Sequence, residues 1–359
     1  MSKILYTVLC SLALAGCAVE EQPPATLADP DWRLDNGLNH LDLTAGLDED
    51  FLLATTELPD ELGALSRNKE GYFSVRFQLG ILELAGAAVR YQDLAMLERV
   101  ERSLFYAFSH QQPDGGFLIT PPQALTDSGI APPSAADSVS AAAFYGYALA
   151  MSLEAWYTSD WFLTSQEASG TRSFITSLRP EIETLLRYID QRQDLVFMAD
   201  STAPNRLLFD AIALFGLGKW LDDQEAQDLG IHFMQRALDQ VSADEGYFIE
   251  GGGWDSSYNG VALMLGLELF TLMDESNLEK EALGLTLIRS ALWQTSRILE
   301  TGEISTAGNT RVFPGGESFL GNEKTVDAKK TIRAFYYLRT LTGRSEFDDL
   351  ANRVFDFYR

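Results

Sequence analysis

Residues 258–270 read YNGVALMLGLELF, and this stretch decides the fold class. Wound as an α-helix, it places apolar side chains on every side of the axis and leaves no polar face. A helix that is apolar all round is buried all round. Gly260 and Gly266 each lower helix propensity by about 1 kcal/mol relative to alanine. Their presence therefore predicts a helix that packs closely against its neighbours.

A second kind of helix follows each apolar one. In residues 224–241, apolar side chains recur at three- and four-residue steps and form one face, with charged residues elsewhere. We expect apolar inner helices at 75–91, 138–157, 206–221, 258–273 and 328–341. We expect charged outer partners at 94–110, 172–191, 224–241, 278–300 and 347–358.

The repeat of loop, apolar helix and charged helix predicts an all-α fold. A period of about 50 to 70 residues is typical of stacked or ringed helical hairpins, and inner helices wrapped by amphipathic outer ones indicate an α/α toroid. A further helix at 48–67 would bring the count close to a six-hairpin barrel, complete or incomplete. The alternative is an open superhelical solenoid. No linker interrupts residues 48–359, so they are expected to form one domain.

The amino-terminal residues resemble a bacterial lipoprotein signal. Lys3 precedes an apolar run from Ile4 to Leu14, and Leu14-Ala15-Gly16-Cys17 ends it with small residues and a cysteine. The run is shorter than the ~20 apolar residues needed to span a bilayer. We expect residues 1–16 to be removed and Cys17 to carry lipid such as palmitate. The protein would then lie in the cell envelope, and Ala18 after the cysteine favours the outer membrane.

The charge balance excludes nucleic acid as a partner. The net charge is −25, and removal of Lys3 with the signal makes it −26. Between Glu20 and Glu61 there are twelve acidic residues and one base, whereas nucleic-acid binding needs a basic surface. Residues 17–47 are expected to form the lipidated start and an acidic tether. With Cys10 removed and Cys17 lipidated, the body has no thiol for a disulfide or a metal. A monomer is expected.

The helical-hairpin rhythm of residues 48–359 resembles the α/α-toroid enzymes that act on polysaccharides. These are the six-hairpin glycosidases and the alginate-lyase-like polysaccharide lyases. The resemblance rests on two loop segments, Gln112-Pro113-Asp114-Gly115-Gly116-Phe117 and Glu250-Gly251-Gly252-Gly253-Trp254-Asp255. It implies that the loops at the inner-helix starts gather around one funnel that binds a polysaccharide or oligosaccharide. We expect loops 112–117, 250–259 and 309–324 to face this common funnel.

Residues 244–259 are the first candidate site. Three consecutive glycines stand beside the titratable groups of Glu250, Asp255 and Tyr258 at the start of an inner helix. Trp254 offers an aromatic face to a sugar ring, and Asn259 an amide to its hydroxyls. The structural alternative is a glycine turn in which Asp255 caps the helix.

Residues 305–333 are the second candidate site. They contain five bases and three acids, so a strongly acidic chain is locally positive. Such a segment suits an anionic ligand, and Arg311 and Lys324 are its candidate ligand-binding cations. The alternative is an ordered loop with ordinary surface ion pairs.

Other inner-helix starts contain further candidate residues, although Asn205 and Asp137 could instead cap their helices. Asn205 lies at one such start, and Asp137 and Tyr145 lie at another. His110 ends an outer helix just before the glycine-rich loop. The three histidines are far apart in sequence and no familiar metal motif is present, so neither a metal nor another cofactor is expected. Assistance by Ca²⁺ stays open.

These residues favour a polysaccharide lyase that cleaves uronate-containing glycans by β-elimination. Tyr258 would be its acid or base, Arg311 and Asn205 would hold the carboxylate, and Trp254 would stack on the sugar. One alternative is a glycoside hydrolase with Glu250 or Asp255 as acid and Asp137 or Asp200 as base. Another is a glycan-binding lipoprotein without catalysis.

The lipoprotein hypothesis predicts that Cys17→Ala releases the protein from membranes without unfolding it. Loss of the acyl chains removes the anchor, and no disulfide depends on this cysteine. Membrane fractionation with alkaline washing measures the release, and circular dichroism checks the fold. Full retention of the washed variant in the membrane fraction would contradict the hypothesis.

Overall fold

The computed structural model describes residues 32–120, 133–319 and 321–359. Helices dominate these ranges, and two short strands, β1 (Ser318–Phe319) and β2 (Asn322–Glu323), pair as an antiparallel hairpin. The predicted all-α class is confirmed. Within the described ranges, no helix has both the length and the apolar character needed to cross a membrane. The lipidation sequence around Cys17 lies outside the described residues.

The α-helices of these ranges are numbered in chain order. They are α1 (His40–Ala45), α2 (Glu49–Thr55), α3 (Ile81–Tyr91), α4 (Leu94–Phe108), α5 (Ala135–Tyr157), α6 (Asp160–Thr164), α7 (Ser169–Ser177), α8 (Arg179–Asp190), α9 (Gln193–Asp200), α10 (Pro204–Leu221), α11 (Gln224–Leu238), α12 (Ser256–Leu272), α13 (Leu278–Ser296), α14 (Ala328–Thr342) and α15 (Ser345–Tyr358). Short 3₁₀ helices cover Ser66–Glu70 and Val75–Gln78.

The five expected apolar helices correspond to α3, α5, α10, α12 and α14, and each is largely buried. Four charged partners correspond to α4, α11, α13 and α15. The partner expected at 172–191 is instead split into α7 and α8. Pro180 lies in the first turn of α8, where its missing N–H and fixed φ suit the start of a new helix.

Two expectations about the amino-terminal part need correction. The helix expected at 48–67 ends at Thr55, since Leu58-Pro59 disfavours helical backbone before the proline. The packed body also begins earlier than Asp48. Leu34, Leu43 and Leu47 are buried in the core, because α1 packs against α3, α5 and α14.

In three of the inner–outer hairpins, the two helices are joined by the same kind of tight, two-residue connection. The first residue is left-handed in each, with φ of 52° at Gln92, 63° at Asp222 and 67° at Gly343. A single left-handed residue ends one helix, and the next residue immediately precedes the partner. After α3 and α10 that next residue is an aspartate, and its side chain caps the outer helix. This geometry folds each outer helix back along its inner helix.

The inner helices contact one another in chain order, α3 with α5, α5 with α10, α10 with α12, and α12 with α14. A polar network lies among them. Tyr147 of α5 and Tyr337 of α14 donate hydrogen bonds of 2.8 and 3.1 Å to the fully buried carboxylate of Glu268 on α12. Arg333 of α14 approaches Glu83 of α3 at 3.1 Å. The network thus joins the first inner helix to the last.

Gly230 lies where the outer helix α11 packs closely on its inner partner α10. A Cβ at this position would lie 2.7 Å from the backbone nitrogen of Phe215 and 2.8 Å from the carbonyl of Ala211 on α10. Because backbone must move, Gly230→Ala is expected to lower the free energy of unfolding by about 1–3 kcal/mol. Urea denaturation measures this change.

Gly170→Ala is the matched control. Gly170 also lies within an α-helix, but a Cβ there meets no atom within 4 Å. This variant should unfold at equal or higher denaturant concentration, since alanine is the better helix former by about 1 kcal/mol. If both variants lost the same stability, the packing explanation for Gly230 would be wrong.

Candidate functional site

A cavity of about 560 Å³ opens at the amino-terminal ends of the inner helices. Early residues of α10, α12 and α14 line it, together with Phe144 of α5, residues just before α3 and the segment 324–327. Helix amino termini carry partial positive charge. Asp255 and Asp327 cap two of these three helices, α12 and α14, so the helix ends alone do not define an anion site.

The charged side chains of the cavity wall are mostly cations. Arg76, Lys324, Lys329 and Lys330 line it, against the single acid Asp327 among the described lining residues. In a chain of net charge −25, this concentration of positive charge is local. The cavity therefore carries a field suited to carboxylate, sulfate or phosphate groups.

Arg76 is the cation best placed to receive a ligand. Its guanidinium carbon lies 4.1 Å from the ring centre of Phe144 and 5.6 Å from that of Phe319. Within the described ranges it makes no hydrogen bond and no ion pair, although the charges of Asp200 and Asp137 are close enough to act on its pKa. Burial and the nearby charge of Arg206 lower the pKa of Arg76 to about 10, so it stays protonated at neutral pH. It is held by stacking and keeps its N–H groups available.

Tyr258 lies between an acid and a base on the same wall. Its hydroxyl donates a 2.7 Å hydrogen bond to Glu317 and accepts one from the ammonium of Lys324. Burial and the Glu317 hydrogen bond raise the pKa of Tyr258 well above its usual range. Burial lowers the pKa of Lys324, although Glu317 opposes this. The pair thus combines a protonated hydroxyl with a lysine that loses its proton more readily than one in water.

Arg311 is occupied by the protein's own carboxylates. It pairs with Glu250 and, at 2.7 Å, with Glu317, and its guanidinium carbon lies 4.5 Å from the ring centre of Tyr258. Its predicted role of holding a substrate carboxylate is therefore corrected. It shapes the wall behind Tyr258, whereas Arg76 and Lys329 line the cavity without an ion pair in the described ranges.

Glu250 lies behind Arg311 and is 1% exposed. Burial raises its pKa to about 7 despite the ion pair with Arg311. A carboxyl group that titrates near neutrality is a common catalytic feature, but Glu250 is not among the residues that line the cavity. A direct acid role for it has no geometric support.

Asp255 is structural. One carboxylate oxygen caps α12 by accepting from the backbone N–H groups of Ser257 and Tyr258, at 3.1 Å each. The other accepts from the backbone N–H groups of Arg311 and Val312, at 3.0 and 2.7 Å. The side chain is fully buried. It fastens the 309–317 loop to the inner helix, and its predicted catalytic role is corrected.

Trp254, Asn259 and Tyr145 do not line the cavity either. Trp254 packs beside Gly308 and Tyr247. The buried amide of Asn259 accepts from Phe248 and Ser290 and donates to Gln294. The Tyr145 ring is fully buried. Asn259 and Tyr145 are buried and Trp254 is half-buried away from the cavity, so their assignment to substrate binding is corrected.

The remaining predicted residues differ in whether they line the cavity. Asn205 lines the cavity, and its side-chain oxygen is buried without a hydrogen-bond partner in the described ranges. Lys324 lines it as well. Asp137 instead caps α5 through a capping box with Ser134, and His110 stacks on Phe73 with ring centres 3.9 Å apart. Asp200 is buried and paired with Arg206 at 3.0 Å.

Two of the three expected funnel loops meet. Residues 250–259 and 309–324 touch through Asp255 and Arg311, as described above. Residues 112–117 instead pack on α8, where Gly115 and Gly116 lie against Thr184 and Tyr188. No residue of 112–117 lines the cavity.

Sequence reasoning missed Arg76, Phe144 and Phe209, which all line the cavity. A signal existed for Arg76, since it is a lone arginine at the start of an apolar inner helix. No comparable signal marks the two phenylalanines, which look like core residues. In the described part of the chain, no group of three or more His, Cys, Asp or Glu side chains is arranged to hold a metal.

Comparisons with protein-family models, curated proteins and solved structures find no match for this chain.

The role of Asp255 predicts that Asp255→Asn lowers the free energy of unfolding by about 1–3 kcal/mol. Asparagine can still cap α12, but its amide has one oxygen, and an NH₂ group would then face the N–H groups of Arg311 and Val312. Thermal and urea denaturation measure the loss.

Asp223→Asn is the control for the cap alone. Asp223 accepts from the backbone N–H of Ala226 at the start of α11, and asparagine caps a helix about as well as aspartate. This variant should retain wild-type stability. Equal stability of Asp255→Asn and wild type would contradict the fastening role.

Proposed function

We propose that the protein is a polysaccharide lyase that cleaves uronate-containing glycans by β-elimination in the cavity at the inner-helix amino termini. The observation that carries the proposal is the guanidinium of Arg76. It faces a cation-lined cavity and has no carboxylate partner in the described ranges. A uronate carboxylate supplies the charge that this guanidinium lacks, and Arg–carboxylate pairs are geometrically specific.

β-Elimination breaks the C5–H bond, forms a double bond between C4 and C5, and expels the C4 oxygen with a proton. Arg76 is assigned to the substrate carboxylate, where it stabilises the negative charge that develops as the proton leaves. The neutral form of Lys324 removes the proton. Tyr258, held protonated by its raised pKa, protonates the leaving oxygen.

A glycoside hydrolase fits the cavity less well. Hydrolysis needs two carboxyl groups on opposite sides of the scissile bond. Asp327 is the sole acid among the described lining residues, and it caps α14 through the backbone N–H of Lys330. Glu250 and Asp255, the hydrolase candidates, are enclosed by the 309–317 loop.

The α/α toroid is also part of the proposal. The chain-order contacts of α3, α5, α10, α12 and α14, together with the Glu83–Arg333 pair between the first and the last, support a closed arrangement. The placement in the outer membrane through lipidated Cys17 rests on the sequence around that residue.

Under this mechanism, Tyr258→Phe should lower kcat by about 10²–10⁴ and leave glycan affinity nearly unchanged, because the variant loses only a proton-transfer group. The assay screens polymannuronate, polyguluronate, polygalacturonate and glucuronate-containing polymers. It records the ultraviolet absorbance of unsaturated products and, in parallel, new reducing ends.

Tyr157→Phe, the same change at the far end of α5, should retain full activity. New reducing ends without unsaturated products would contradict the lyase proposal and indicate a hydrolase instead. Binding without turnover on the whole panel would support the non-catalytic glycan-binding alternative.

A further inference from the structure

Phe319 is an exposed side chain next to the cavity: it is not a lining residue itself, but it lies beside two residues that are, Arg76 and Lys324. It belongs to β1 of the short hairpin and pairs with Asn322 of β2. The ring is 41% exposed, although aromatic side chains are usually buried when packing allows. An exposed phenylalanine on an ordered hairpin next to a polar cavity suits contact with a ligand.

Two cations of the cavity flank this ring. The guanidinium carbon of Arg76 lies 5.6 Å, and the ammonium of Lys324 5.8 Å, from its centre. Both groups are within cation–π distance of the ring, so the hairpin holds an exposed aromatic side chain directly beside the guanidinium of Arg76. A uronate residue has the complementary chemistry, since its pyranose ring has an apolar face of C–H groups and its edge carries a carboxylate.

The hairpin is fixed at its base, so the ring has a defined position. The backbone N–H of Lys324 donates to the carbonyl of Glu317 at 2.9 Å. The carboxylate of Glu323 accepts from the backbone N–H of Gly315 at 2.7 Å. A prearranged aromatic surface loses little conformational entropy when a ligand stacks on it.

We propose that Phe319 is a stacking platform for a uronate ring, with Arg76 binding the carboxylate beside it. The inference rests on the proposed function and adds a specificity-determining residue. Recognition then depends on a sugar ring that carries the charge, so an anionic polymer without rings binds through the cations alone.

The experiment measures the binding of oligomannuronate, oligoguluronate and oligogalacturonate by calorimetry, with poly-L-glutamate as the polyanion without sugar rings. Phe319→Ala should weaken binding of the preferred oligouronate about tenfold, the size of a favourable aromatic contact. It should leave poly-L-glutamate affinity unchanged. Arg76→Ala should weaken both, and Phe319→Tyr should restore oligouronate binding.

Phe313→Ala is the matched control. Phe313 is 40% exposed in the same loop and lies beside Gly316, so its removal should leave both affinities unchanged. Unchanged oligouronate affinity in Phe319→Ala would overturn the platform, as would an equal loss for poly-L-glutamate. If the wild type bound none of the oligouronates, the proposed function itself would fall.

Discussion

The buried polar network between the inner helices is the constraint on which the rest of the structure depends. Glu83 and Arg333 form an ion pair in the interior, and Glu268 takes hydrogen bonds from Tyr147 and Tyr337. Burial alone would raise the pKa of Glu83, but Arg333 holds it below its usual range. Removing one partner would leave a buried charge uncompensated. The network therefore restricts how helices from opposite ends of the chain align.

That alignment decides where a site can form. It brings the amino termini of α10, α12 and α14 to one cavity, and the loop before α14 closes one wall. Asp255 sets the position of this wall, because a single carboxylate binds the start of α12 and two backbone groups of the loop. Two neighbours in sequence thus have different positions. Asp255 positions the loop, whereas Tyr258, one turn later, faces the cavity.

The fold was more predictable than the site. Hydrophobic patterning located the inner helices, because a helix buried on all sides is apolar on all sides in its sequence. It failed for residues 56–67, where Pro59 and Gly63 break the pattern, and at Pro180. Of the candidate site residues, Tyr258, Lys324 and Asn205 line the cavity. The other candidates are polar or aromatic residues near helix ends, where capping and ligand binding require the same side chains.

The sequence by itself determined the helical class, the order of inner and outer helices and the local excess of positive charge near residue 324. These properties depend on periodicity and composition, which are local. Only the tertiary structure decided which cations are neutralised. Arg311 meets two carboxylates across the wall, whereas Arg76, more than two hundred residues away in sequence, rests on aromatic rings and keeps its charge for a ligand. The pairing of a charge depends on neighbours that are distant along the chain, and no sequence pattern records them.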